Sequence, residues 1–134
     1  MKSNTEIKDI LFSILKGSEL HREALSRGGD IYPDARPTNS GKEDITILVL
    51  DGLVGEDYQE IVPNINCYVP DVHRGKQLVE DTPRVRHLSR LAINLLEDYT
   101  TSDYRFHIEK QQVFKVKGAD EHCINTRLLI TYQK

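Results

Sequence analysis

The chain has 134 residues with a formal net charge of −3, and 38% of its residues are hydrophobic while 29% are charged. This profile is typical of a soluble globular protein, which excludes disordered and fibrous classes, and the length predicts a single domain over residues 1–134. The acidic balance argues against a protein that coats nucleic acid, and no apolar run approaches the roughly 18 residues that a membrane span requires. The polar N-terminus is unlike a signal peptide, so we expect synthesis and folding in the cytoplasm.

The N-terminal region predicts two helices. Apolar residues at helical spacing form one stripe over residues 3–15, and Ser3 begins that helix as part of a capping box. Gly17 lies where a left-handed C-terminal cap is favoured. Ser18 can then cap a second short helical segment, which a glycine pair ends.

Three strands are expected next. Ile31-Tyr32 precedes a proline-rich loop and predicts a short edge strand. Residues 45–50 are apolar on both faces, which predicts a central strand covered on both sides. Residues 58–69 alternate and indicate a strand with one wetter face. Because a proline cannot donate to a ladder, Pro63 predicts that this strand lies at an edge or carries a bulge.

The second half of the chain predicts one long helix and a closing hairpin. Thr82 and Pro83 form an N-cap followed by a proline at the first helical position, after a polar stretch. Residues 104–132 alternate on both sides of a turn at 117–120. The predicted class is α+β, with a mainly antiparallel sheet of four to five strands packed by two main helices. Its order is helix–β–β–β–helix–β–β.

The chain has no pattern typical of a catalytic, metal or cofactor site. Cys67 and Cys123 lie in apolar runs and are expected to be buried, reduced thiols, and none of the five histidines belongs to a known signature. Residues 121–123 read Glu-His-Cys, but consecutive strand residues point to alternating faces and cannot converge on one atom. Phosphate-binding glycine motifs are absent from the sequence. We therefore expect no catalytic residue, no metal and no cofactor.

A basic group is the most distinctive charge feature. Across residues 71–90 it outnumbers the acidic residues by two, and its members are Arg74, Lys76, Arg84, Arg86 and Arg90. A solvated helix face, a subunit contact and a nucleic-acid lining all remain open for these side chains, because guanidinium groups suit both carboxylates and phosphates.

In the order of its elements and in several short sequence segments, the chain resembles the tail-terminator, or tail-completion, proteins of long-tailed bacteriophages and prophages. The matching pieces are a helix around residues 7–15, the strand and loop Gly-Asp-Ile-Tyr-Pro-Asp-Ala-Arg-Pro at 29–37, a β-hairpin at 45–69 ending in Tyr-Val-Pro-Asp, and a late helix before a terminal hairpin. They extend over nearly the whole chain as a pattern.

The resemblance implies a non-enzymatic structural subunit whose ring, expected to have six copies, ends the tail tube and joins it to the head connector. The loops at 34–44 and 51–58 and the basic stretch at 74–90 are then candidate subunit or neck contacts, with Arg36 on the first loop. DNA would pass only through the ring lumen, and no membrane is involved. The implied locations are the host cytoplasm during assembly and then the virion tail.

Three alternatives remain. The first is another neck or minor tail component, which only its neighbouring genes would distinguish. The second is a small nucleic-acid-binding or regulatory module that uses the basic stretch, which salt-sensitive DNA affinity would reveal. The third is an enzyme, for which a pocket must hold Cys67 or Cys123 against a histidine with a shifted pKa.

Overall fold

A computed structural model describes residues 1–50 and 52–133. Within these residues it has three helices and seven strands, in the order α1 (Asn4–Leu15), α2 (Glu19–Ser26), β1 (Ile31–Tyr32), β2 (Ile45–Leu50), β3 (Tyr58–Pro70), β4 (Val72–Arg74), β5 (Gln77–Val79), α3 (Thr82–Leu96), β6 (Tyr104–Lys115) and β7 (Glu121–Gln133). The predicted α+β class and the mainly antiparallel sheet are confirmed. The hairpin of β4 and β5 was not predicted.

Five strands form the main sheet in the order β1-β2-β3-β7-β6. β1 runs parallel to β2, and every other neighbouring pair is antiparallel. The terminal hairpin of β6 and β7 is as predicted, with a register shift between Ile108 and Lys110. β4 and β5 pair only with each other and form a second, two-stranded sheet.

The helix ends follow local capping chemistry. Ser3 accepts the Glu6 amide, and Ser18 accepts the His21 amide, as the sequence predicts. Gly17 adopts a φ of 77°, a left-handed value that glycine reaches without a steric penalty. α3 begins one residue earlier than expected, because Asp81 and not Thr82 is its N-cap.

One side of the sheet carries the hydrophobic core. Buried side chains of α1, α2 and α3 cover the sheet face that presents Ile47, Ile65 and Ile124. The alternate residues of β2, Leu48 and Leu50, are 50% and 42% exposed. The prediction of a β2 strand covered on both faces is therefore wrong. All the described helices pack on the face of Ile47, so Leu48 and Leu50 point away from them.

Pro63 lies in the middle of the sheet and not at an edge. β3 pairs with β2 on one side and with β7 on the other, and Pro63 is opposite Val49. Pairing with β7 stops after Ile61 and resumes in the same register at Asn64. The predicted edge position and bulge are thus both wrong. The strand accommodates the missing donor by a local break in one ladder.

Among the described residues, none of the helices has the length and apolar character needed to cross a lipid bilayer.

Candidate functional site

Arg84 is held inside the protein by two carboxylates. Its Nε and Nη2 donate to the two oxygens of Glu43 at 2.8 Å each, and its Nη1 donates to Glu23 at 2.8 Å. The hydrogen bonds to Glu43 have the largest effect on the pKa of Arg84 and raise it. Burial lowers this pKa, but the hydrogen bond to Glu23 also raises it, so the net change is upward. Arg84 is only 9% exposed. It therefore joins α2, α3 and the segment before β2, and its charge is neutralised within the chain.

Arg36 is also neutralised within the chain. It donates from Nε to Asp44 at 2.9 Å and from Nη1 to Glu121 at 2.6 Å, and its guanidinium lies 4.0 Å from the centre of the Tyr68 ring. Burial alone would lower the pKa of Arg36. The hydrogen bonds to Glu121 and Asp44 have the larger combined effect and raise this pKa. Arg36 thereby ties the 34–44 loop to the sheet.

Arg74 and Lys76 lie on the hairpin formed by β4 and β5, residues 72–79, which we call the arm. All three residues of β4 are exposed, as are Gln77 and Leu78 of β5. The two strands join through a two-residue loop whose first residue, Gly75, has a φ of 64°. Glycine first in a two-residue loop is the signature of a type II′ hairpin, and this signal in the sequence was missed.

The base of the arm is anchored by a buried carboxylate. Asp71 accepts a hydrogen bond from Nδ1 of His122 at 2.6 Å and one from Nζ of Lys115 at 2.9 Å. Its backbone N–H donates to the carbonyl of Asp120 at 2.9 Å. The side chain of Asp71 is 1% exposed. The direction in which the arm leaves the sheet is therefore defined by the β6–β7 hairpin.

Arg86 and Arg90 lie on the solvent side of α3. Both are exposed and lie four residues apart, so they share one face of the helix. Within residues 1–50 and 52–133, neither these two arginines nor Arg74 and Lys76 of the arm forms an ion pair. Four of the six candidate contact residues therefore keep their charge available at the surface.

The turn between β2 and β3 is acidic and also apolar. We call residues 52–57 the acidic turn. Leu53 and Val54 are 67% and 55% exposed, and Glu56 and Asp57 beside them are exposed as well. Internal bonds order this turn, because the Gly55 amide donates to the Tyr58 carbonyl and Glu60 donates to the carbonyl of Leu53. Asp51, which completes the predicted 51–58 contact loop, lies outside the described residues.

The sheet face away from the helices is the open face. Apolar Leu48, Leu50 and Phe114 are between 42% and 50% exposed on it. Between them the Asn125 amide donates to the side-chain oxygens of Asn64 and Asn66 at 3.1 and 2.7 Å. The wetter face predicted for β3 is this polar strip, flanked by exposed apolar side chains.

Comparison with known proteins adds no identification. The sequence matches no protein-family model, and no curated protein matches it.

The two cysteines are buried and free, as predicted. Burial raises the pKa of Cys123 to about 12 and that of Cys67 further. Such thiols are protonated at neutral pH, whereas the thiolate is the nucleophile. Across the described ranges, no three His, Cys, Asp or Glu side chains lie close enough to hold a metal ion.

Proposed function

We propose that the chain is a non-enzymatic structural subunit of phage tail assembly, of the tail-terminator kind. In this proposal copies of the chain form a ring that ends the tail tube and joins it to the head connector. The ring would assemble in the host cytoplasm and remain in the virion tail, with DNA confined to its lumen.

The observation that carries the proposal is the apolar surface left exposed on the open face and at its end. Leu48, Leu50 and Phe114 lie on the face itself, and Leu53 and Val54 extend it into the acidic turn. Exposed apolar groups that cluster next to polar side chains are typical of protein–protein interfaces. A protein whose conspicuous surface features are of this kind is suited to assembly.

The arrangement of elements supports the same proposal. An N-terminal helix, a short strand with a proline-containing loop, a β-hairpin and a late helix before a terminal hairpin are the pattern on which the resemblance to tail terminators rests. Arg36 and Arg84 have structural roles within one chain, so the candidate contacts reduce to Arg74, Lys76, Arg86 and Arg90.

Binding to tail tubes tests the proposal directly. The chain is mixed with tubes polymerised from a tail-tube protein encoded beside it, and particle mass and electron micrographs are recorded with and without tubes. We expect rings at tube ends and a corresponding gain in mass. Leu48→Asp with Leu50→Asp, which places charge on the open face, should abolish binding, while Arg27→Asp, at an exposed position on the helix side, should not. A gene neighbourhood without tail or capsid genes, or tubes whose ends stay bare, would contradict the proposal.

A nucleic-acid-binding function is the second candidate. Arg86 and Arg90 favour it, because both are exposed on one face of α3. Each phosphate contact contributes to the dependence of affinity on salt. If this function holds, Arg86→Gln with Arg90→Gln should lower DNA affinity. The slope of log affinity against log salt should become shallower by about two, because two phosphate contacts are lost. Unchanged affinity in that double variant, or no binding by the wild-type chain at low salt, excludes it.

A further inference from the structure

The two ends of β3 carry surfaces of opposite charge. The acidic turn contains Glu56 and Asp57 and no basic residue, whereas the arm contains Arg74 and Lys76 and no acidic residue. The acidic turn comes directly before β3, and the arm follows directly after it. With 13 residues at roughly 3.3 Å each, β3 separates these surfaces by about 40 Å. They are therefore too far apart to meet within one chain.

Each surface pairs its charge with exposed apolar side chains. On the arm, Val72 shares a face with Arg74 and is 41% exposed, whereas Leu78, also 41% exposed, lies on the opposite face with His73. In the acidic turn Leu53 and Val54 are exposed still further. An isolated two-stranded hairpin is only marginally stable in water, so the arm gains stability from packing against another surface. The acidic turn offers apolar contact together with the opposite charge.

We infer that the arm of one copy docks against the acidic turn of a second copy, in a head-to-tail contact. The charges of Arg74 and Lys76 then face those of Glu56 and Asp57, while the apolar side chains beside them are removed from water. Complementary charge of this kind steers association and fixes which surfaces meet.

The partner is a second copy of the chain, because every copy carries both the arm and the acidic turn. Such a contact uses two different patches, so it is heterologous, and repeated contacts of this kind either close into a ring or continue as a filament. The inference rests on the self-assembly in the proposed function and specifies the surfaces that would form it.

Paired charge reversals test the contact. One variant carries Arg74→Glu with Lys76→Glu, and a second carries Glu56→Lys with Asp57→Lys. Self-association of each is measured by sedimentation velocity at low ionic strength up to millimolar concentration. Each variant alone should associate at least about tenfold more weakly than the wild type, because like charges then face each other. An equimolar mixture of the two should associate again, since each arm then meets a turn of opposite charge.

Two controls separate this contact from general charge effects and from misfolding. Lys16→Glu with Arg27→Glu reverses the same number of charges at two exposed helix ends outside the candidate contacts and should leave association unchanged. The quadruple reversal in one chain should associate as the wild type does, which a misfolded protein would not.

Wild-type chain that stays monomeric throughout, or a mixture that fails to recover association, overturns the inference. Binding to tube ends is measured separately, so the proposed function can stand when this contact fails. If tube ends remain bare while the reversals behave as expected, the proposed function fails and the contact stands.

Discussion

Arg84 and Glu43 form a bidentate ion pair beneath α3, with two donor–acceptor distances of 2.8 Å and side-chain exposures of 9% and 4%. Removing one partner of a buried pair leaves an uncompensated charge away from water. We expect Arg84→Met to lower the free energy of unfolding by about 3 kcal/mol in chemical denaturation. Arg84→Lys should recover little of this, because an ammonium cannot reproduce the planar fork.

Arg90→Met on the same helix is the matched control for that experiment. Because Arg90 is exposed and makes no ion pair within the described part of the chain, its loss should change the free energy of unfolding by less than about 0.5 kcal/mol. Equal effects of the Arg84 and Arg90 substitutions would contradict the structural role assigned to Arg84.

Arg36 holds two buried carboxylates that would otherwise lie without a cation. Within the described residues one oxygen of Asp44 and one of Glu121 have no hydrogen-bond partner, so Arg36 is their main source of compensation. We expect Arg36→Ala to lower the free energy of unfolding by about 3 kcal/mol in urea denaturation. Arg105→Ala, at an exposed arginine of β6, should have an effect below about 0.5 kcal/mol. A stable Arg36→Ala protein with impaired self-association would instead make Arg36 a contact residue.

Local signals in the sequence predicted most of the fold. Ser3, Ser18 and Gly17 act through neighbours in the chain, so their roles follow from residue type and spacing. The alternation of residues 104–132 on both sides of a turn likewise predicted the terminal hairpin. The error for β2 has a different origin. Leu48 and Leu50 are exposed because none of the described helices covers the open face, and no local pattern encodes that.

The candidate contacts were harder to predict, because charge alone does not distinguish a surface arginine from a buried one. Arg36 meets Glu121 across 85 positions of sequence, a pairing that exists only once the sheet has formed. For Arg84 a signal was present, since it lies four residues before the buried Leu88 and therefore on the core side of the helix.

The cysteine thiols should resist modification until the protein unfolds. Burial raises the pKa of Cys123 to about 12, and Cys67 is fully enclosed by the core, so neither presents a thiolate at neutral pH. We expect an aromatic disulfide reagent to label neither thiol on the timescale of an exposed one, and to label both in guanidinium. Thr38→Cys, in an exposed loop, supplies the matched fast-reacting thiol. Rapid labelling of the native wild-type chain would show that one cysteine is accessible.

Asp71 should make the stability of the protein depend on pH. Burial alone would raise the pKa of Asp71, but hydrogen bonds from Lys115 and His122 outweigh it, so the folded pKa lies below the ordinary value of about 3.9. A carboxyl group whose pKa is depressed by folding stabilises the protein above its unfolded pKa, and that stabilisation disappears as the pH falls through the folded pKa.

Asp71→Asn should therefore reduce the free energy of unfolding near neutral pH and reduce it progressively less below about pH 4, where the wild-type carboxyl group loses its advantage. Urea denaturation across this pH range measures the difference between the two proteins. Asp9→Asn, at an exposed position of α1, should reproduce the wild-type profile. If the Asp71→Asn profile stayed parallel to that of the wild type at every pH, the carboxylate would not be the charge that anchors the arm.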